Sequence, residues 1–569
     1  MVTNEELIDV AMKRKPCDLI LKNGNIVNVF SGEIHSCDIG IYKNKIIGLD
    51  DYSARKEVDI KGMYVCPGFF DGHVHIESSM VTLREYAKAV VPKGTTSVVA
   101  DPHEIANVLG LEGIKYMLET SDGLPMNVFL MLSSCVPATT LETSGASLSA
   151  FDLSLFLGSP NVLGLAEVMN YLGVINKEPD MMAKISGAKG KRIDGHAPEL
   201  RGNGLNAYVA AGIKSDHECT TLEEASEKLK RGMYIMIREG TTAKNLLSLL
   251  PLVNPKNSSR LFFVTDDKNP NDLLKEGHIN SMIKTAIEHG IDPIRAIQMA
   301  TLNTSEYFKI DDLGAIAPGY RADVVVFDNF NDFNIKLVFK DGVLVAKNGK
   351  LTKRIVAPKK VPLRSTINVK WIEIDDFRIR AKSEFAKVIE LVPDQIITRK
   401  SIKRIKVENG LAVSDVENDT LKISVIERHM ASGNIGLGFT KGFNLKRGAL
   451  ASSVSHDSHN IIILGTNDGD MYKAAVRIVK LRGGLVVVNN GEVVEELPLP
   501  IGGLISENSL EEVAGRIDRL NLEAGKLGCG LGDPFMMLSF LTIPVIPELR
   551  LTDKGLVDAN EMRTVELFE

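Results

Sequence analysis

Between Pro67 and Phe308 the chain alternates short apolar runs with helix-prone stretches, and no other feature of the sequence constrains the fold as tightly. The first run ends in Gly72-His-Val-His75. The others are Thr95–His103, Met126–Leu132, Val162–Val168, Arg192–His196, Ile213–His217, Tyr234–Glu239 and Leu261–Asp266, making eight in all. Eight strand–helix units in roughly 240 residues have the size and rhythm of a (β/α)8 TIM barrel, an α/β fold. A doubly wound open sheet is the structural rival. It would carry a Gly-rich phosphate fingerprint after its first strand, and none is present.

The segments on either side of the barrel read differently. Residues 18–66 are short strands, with turn signals at Asn23-Gly24 and Lys43-Asn44 and a short helix before them. Strand texture returns at Leu313–Asp328 and Ile335–Val345. Neither flank has enough strands to bury a core alone, so residues 1–66 and 309–362 are expected to join in one small β-sandwich-like domain. The barrel then spans 67–308, with helical stretches expected at Val81–Val91, Ile105–Glu119 and Asp292–Phe308. Val356-Ala-Pro-Lys-Lys-Val-Pro362 reads as a linker to a C-terminal α/β unit over 363–569 that mixes strands and helices.

Composition removes several function classes. A net charge of −6 argues against a generic nucleic-acid or membrane-surface binder. Six cysteines without a C-x-x-C pair argue against a disulfide framework or zinc ribbon. The acidic N-terminus has no signal-like apolar region, and no apolar run reaches the roughly 20 residues that span a bilayer. The expectation is a cytoplasmic enzyme with a small-molecule substrate, homo-oligomeric by default and a dimer in its simplest form.

In such a barrel, working residues sit at the C-terminal ends of strands. Two histidines on a strand are often bystanders, but here polar residues mark seven of the eight strand ends. They are His73 and His75; Asp101 and His103; Glu167; His196; Asp216, His217 and Glu218; Arg238 and Glu239; Asp266 and Asp267. This set exceeds the three protein ligands of a single catalytic zinc and suits two divalent ions about 4 Å apart. His73, His75 and Asp266 would hold one ion and His196 and His217 the other, with Glu167 between them. Nitrogen and oxygen ligation without thiolate fits Mn(II) or Fe(II), with Zn(II) as a further option. Cys219 reads as a packed thiol, and Arg238 with Glu239 as an ion pair. His456-Asp-Ser-His459 has three readings: a second metal site, a loop reaching the barrel mouth, or a structural role.

The segment Pro67-Gly-Phe-Phe-Asp-Gly-His-Val-His75, the flanking β-pieces and the strand-8 Asp resemble the amidohydrolase superfamily. Within it, His73-Val-His-Ile-Glu-Ser-Ser79, Asp101-Pro-His-Glu-Ile-Ala-Asn107, Glu167-Val-Met-Asn170, Ser215-Asp-His-Glu-Cys219 and Thr265-Asp-Asp-Lys268 resemble the bacterial-type adenine deaminases. Ser455–Asn460 and Gly530–Phe535 resemble that family's extra C-terminal domain. The resemblance implies a barrel of the metallo-dependent amidohydrolase type and hydrolysis of adenine to hypoxanthine and ammonia in purine salvage, with water activated between two metal ions. Asp266 would move the proton, while Asp101, Glu104 and Glu77 would be candidate contacts to the purine nitrogens. Many superfamily members bridge their metals with a carbamylated Lys at the position of Glu167, which counts against the alternative of a hydantoinase-like cyclic amidohydrolase. A non-catalytic barrel would have lost ligands. A small zinc deaminase would need P-C-x-x-C, which is absent.

Overall fold

The structure is a computed structural model that describes residues 3–356, 361–392 and 395–569. Most of the expected linker, residues 357–360, lies outside the described residues. Eight parallel strands build the barrel: β1 (Phe69–Val74), β2 (Thr95–Ala100), β3 (Asn127–Ser133), β4 (Val162–Val168), β5 (Arg192–Gly195), β6 (Ser215–Asp216), β7 (Tyr234–Arg238) and β8 (Leu261–Val264). They form a five-stranded and a three-stranded run. On one side the two runs meet where the Lys214 N–H donates to the Ile193 carbonyl at 3.0 Å. On the other, a parallel bridge between Val74 and Asp266 closes the ring.

The barrel is filled by Phe70, Val99, Phe129, Met131, Met236, Phe262 and Val264, with Tyr307 and Phe308 packed in the same cluster. Gly72 is needed where the inner layer is tightest, since a Cβ there would lie 2.5 Å from the Phe262 ring. Asp71 ties β1 to the end of β8. Its carboxylate accepts from the Thr265 N–H at 3.2 Å and the Thr265 hydroxyl at 2.5 Å, and His278 Nε2 lies 3.1 Å away. That stitch fixes where His73 and Asp266 emerge.

Two helices expected to be continuous are broken. Ile105–Glu119 is split into His103–Leu109 and Leu111–Thr120 at Gly110, whose φ of 62° no helix allows. Asp292–Phe308 is split into Pro293–Met299 and Leu302–Phe308, and the freed Ala300 carbonyl accepts from Phe70 N–H at 2.8 Å. Asn23-Gly24 is not a hairpin turn. Cys17–Asn28 is one strand with a register shift between Leu21 and Gly24, because the apolar pattern resumes beyond the irregularity. The chain reverses instead just after Asn28, whose side chain accepts from the N–H groups of Phe30 and Ser31. Lys43-Asn44 does turn between Glu33–Tyr42 and Lys45–Gly48.

The flanking strands share one nine-stranded sheet, joined where Tyr64–Pro67 pairs antiparallel with Val324–Phe327. Leu21, Ile26, Ile39, Val65, Val324 and Phe339 belong to its core. Beyond residue 384 an eight-stranded sheet carries apolar side chains on both faces. Ala449, Ala451, Ile461, Ile463, Val486 and Val488 pack against the helix Asp468–Leu481. The alternate residues, Leu450, Ile462, Leu464 and Val487, share a core with the helix Leu510–Lys526 and the barrel's outer shell. This continuity keeps the C-terminal unit seated on the barrel. No helix among the described residues is long and apolar enough to cross a membrane.

A buried lysine locks β5 to β6. Lys228 Nζ bonds the Ala197 carbonyl at 2.7 Å, Asp216 at 3.0 Å and Glu224 at 2.6 Å. Asp216 in turn accepts from the Ala197 N–H at 3.1 Å. Replacing Lys228 by Met strands two buried carboxylates and is expected to cost about 3–5 kcal/mol, read as a lowered midpoint in urea unfolding.

Candidate metal centre

Four imidazoles converge on one carboxylate at the C-terminal mouth of the barrel. Glu167, at the end of β4, divides its two oxygens between them. Oε1 lies 3.2 Å from His73 Nε2 and 2.9 Å from His75 Nε2. Oε2 lies 3.0 Å from His196 Nδ1 and 3.6 Å from His217 Nε2. Asp266 Oδ1 completes the first group at 3.3 Å from His73 and 3.1 Å from His75. All six side chains are buried.

The donors are arranged as ligands. The Asp101 carbonyl accepts from His75 Nδ1 at 3.1 Å, so that nitrogen carries the proton and Nε2 presents a lone pair. His73 Nε2 and His75 Nε2 face each other at 3.2 Å, and Glu167 Oε1 has no hydrogen-bond partner among the described residues. A buried set of lone pairs aimed at shared points is the donor set that divalent cations neutralise, and the residues fit two such ions. Burial opposes ionisation of Glu167. The imidazoles of His75, His73 and His217 outweigh it and hold the carboxyl well below the usual range.

Arg238 does not pair with Glu239. It donates to Glu218 through both terminal nitrogens and to Asp266 Oδ2 at 3.0 Å, whereas Glu239 accepts from the Leu246 N–H. A guanidinium on β7 lies between the ends of β6 and β8 and serves both acids. Burial raises the Asp266 carboxyl's affinity for a proton, but Arg238 beside it keeps it ionised well below its ordinary value. Glu218, named in the sequence without a role, lies 3.4 Å from His217 and lines the cavity above the cluster.

The loop His456–His459 reaches the barrel mouth from the same chain. His456 Nδ1 lies 2.5 Å from Glu104 Oε1, and His459 Nε2 bonds Glu104 Oε2. The Ser455 N–H donates to His459 Nδ1 at 3.1 Å, so Nε2 holds the proton that Glu104 accepts. That tautomer disfavours His459 as a metal ligand and makes the loop part of the cavity wall. His103 stands between Asp101 Oδ2 at 3.0 Å and Glu104 Oε1 at 3.2 Å. Burial works against its charge, but the two carboxylates raise its pKa well above the ordinary value.

Two expected substrate contacts do not line the cavity. Glu77 turns away and accepts from the Ile105 N–H at 3.2 Å, and burial pushes its carboxyl up to about 7. Asp101 bonds Ser133 at 2.7 Å and His103 at 3.0 Å. Glu104 does face the cavity. So do Asp267, Asp457, Met169, Ile396, Phe540, Ile543 and Ile546, of which Asp457 and the last four come from the C-terminal unit. Cys219 is buried, 3.9 Å from Asp216.

A (β/α)8 barrel with a carboxylate shared by two imidazole pairs defines a metal-dependent hydrolase of the amidohydrolase type, and residues 64–345 match the amidohydrolase family. Residues 395–563 match the adenine deaminase C-terminal domain. The chain is 50% identical to "Adenine deaminase 2" of Carboxydothermus hydrogenoformans, over 99% of each chain. It is also 50% identical to adenine deaminases of Desulfatibacillum aliphaticivorans, over 100% of both chains, and of Kosmotoga olearia, over 99% of this chain and 98% of that one. The chain belongs to the adenine deaminase family.

Truncating the shared carboxylate tests the arrangement. Glu167→Ala is expected to lower bound metal from about two ions per chain to one or fewer, measured by elemental analysis after gel filtration, with folding retained by circular dichroism.

Proposed function

We propose that this chain hydrolyses adenine to hypoxanthine and ammonia, using His73, His75, Asp266, His196, His217 and the shared Glu167 to hold two divalent ions. The observation that carries the reading is the position of Glu167, whose two oxygens each face an imidazole pair where cyclic-amide hydrolases usually place a carbamylated Lys. Mn(II) or Fe(II), with Zn(II) as the further option, would supply the Lewis acidity that makes water nucleophilic near neutral pH.

The chain's own residues account for the rest. The cavity has the ligand cluster as its floor and Met169, Ile396, Phe540, Ile543 and Ile546 as apolar lining, which suits a flat base with its C6 edge directed inward. Asp266 Oδ2 is held by Arg238, leaving Oδ1 on the inner side of the site. From there it takes one proton of the attacking water and returns it to the exocyclic nitrogen, which leaves as ammonia, while the second water proton ends on N1 as C6 gains a carbonyl oxygen. Glu104, set among His103, His456 and His459, is a charged acceptor that suits the single ring N–H of the purine, on N7 or N9. The expectation of a cytoplasmic homodimer rests on the sequence.

Protein loaded anaerobically with Mn(II) or Fe(II) is expected to release ammonia from adenine and none from cytosine or hydantoin. Silence with adenine in a metal-replete sample would overturn the reading. Asp266→Asn is expected to lower kcat by about 10²–10⁴-fold, the usual range for losing a proton-transfer group, in an ammonia-release assay.

A further inference from the structure

Arg550 is fully buried and has no carboxylate partner among the described residues. Its guanidinium is satisfied by main-chain carbonyls instead. Nε donates to Ile546 at 2.7 Å, Nη1 to Phe540 at 2.9 Å, and Nη2 to Ile396 and Pro547 at 2.8 Å each. Three of these four carbonyls belong to residues whose side chains line the cavity above the metal cluster. The fourth, Pro547, follows Ile546 directly.

Burying a cation without a counter-charge is unfavourable, and burial alone lowers this guanidinium's pKa to about 9. The arrangement makes sense through its geometry. Ile396 precedes the strand Thr398–Arg404, Phe540 opens a single 3-10 turn, and Ile546 and Pro547 lead into the strand Leu549–Thr552. Backbone bonds join two of these segments at Thr398, whose N–H donates to the Pro547 carbonyl at 3.0 Å and whose carbonyl accepts from the Glu548 N–H at 3.1 Å, and a planar fork of five donors can bond carbonyls arriving from all three segments at once. Lysine offers three donors on one tetrahedral nitrogen and cannot reproduce that fan. Phe540 also stacks on His456 at 5.0 Å between ring centroids, so the clamp extends to the loop that holds Glu104.

We infer that Arg550 is a positioning residue for the substrate cavity. Resting on the reading of that cavity as the purine site, it holds Ile396, Phe540 and Ile546, and through the last two Ile543 between them, in one wall facing the metal ligands. It touches no ligand of the metal cluster, so its loss should loosen the grip on the base and leave the metal site intact.

The test uses the full chain loaded with Mn(II). Arg550→Lys is expected to raise KM for adenine about tenfold or more while kcat stays within about threefold and metal per chain is unchanged. Hydrogen–deuterium exchange should rise in residues 540–547 and stay unchanged around β4. An unchanged KM with unchanged exchange overturns the inference, as does a fall in kcat that tracks lost metal. Should Arg550→Lys fail to fold, Ile543→Ala leaves every guanidinium bond in place and must itself raise KM with metal retained; an unchanged KM there overturns the role of the wall. Wild-type protein inactive on adenine would sink the proposed function, while the exchange measurement would still report on the clamp.

Discussion

A single buried carboxylate organises the active end of this molecule. Glu167 can face two imidazole pairs only if β1, β4, β5 and β6 deliver their last residues to one point within about a hydrogen-bond length. A closed barrel does this because strand order and stagger fix every strand end relative to the others. The closure depends on local devices. Asp71 fastens β1 to the residue before Asp266, and Lys228 fastens the ends of β5 and β6. Asp266 itself sits at a φ of 57°, a left-handed conformation that Asp tolerates better than most residues. Its bridge to Val74 and its bond to Arg238 hold it there.

The C-terminal unit completes the site. The barrel supplies the imidazole and carboxylate cluster, while Ile396, Phe540, Ile543 and Ile546 line the cavity above it. Two fully buried arginines secure this arrangement with no ion pair among the described residues. Arg550 ties the apolar wall, and Arg428 bonds the carbonyls of His459, Thr366 and Gly502 behind the histidine loop. Main-chain carbonyls at irregular segments would otherwise be buried without partners, and guanidinium groups satisfy several at once. The packing also explains the shared core between the C-terminal sheet and the helical shell of the barrel. A cavity wall that slid against its floor could not keep a small flat substrate in register.

Much of this was legible in the sequence because it follows short periods. Strand alternation announced the barrel, and His73, His75, Glu167, His196, His217 and Asp266 stood at the ends of strands 1, 4, 5, 6 and 8. What escaped depends on separations that no local pattern encodes. The partner of Arg238 is Glu218, 20 residues earlier, rather than the adjacent Glu239, because neighbouring strand residues point to opposite faces. Glu77 was expected beside the purine nitrogens, yet the 3-10 turn Ile76–Ser79 swings it toward Ile105. Asn23-Gly24 carries the same backbone permissiveness in a strand irregularity as in a turn, and only the pairing register separates the two. Arg550 had no signal at all, since carbonyl partners leave no mark on side-chain sequence.

One chemical habit recurs through the site and explains its acidity. Each important carboxylate gives its two oxygens different work. Glu167 divides them between imidazole pairs, and Asp101 between Ser133 and His103. Glu104 divides them between His456 and His459, and Asp266 between the His73–His75 side and Arg238. An amide of the same shape would present one acceptor and one donor, leaving an imidazole, guanidinium or hydroxyl opposed by an N–H group in a buried setting. Replacement by Asn or Gln therefore does more than remove charge, because it breaks one of two geometrically distinct contacts. The fold uses acids here as two-sided spacers, and for Asp266 the division keeps Oδ2 on Arg238 while Oδ1 faces His73 and His75.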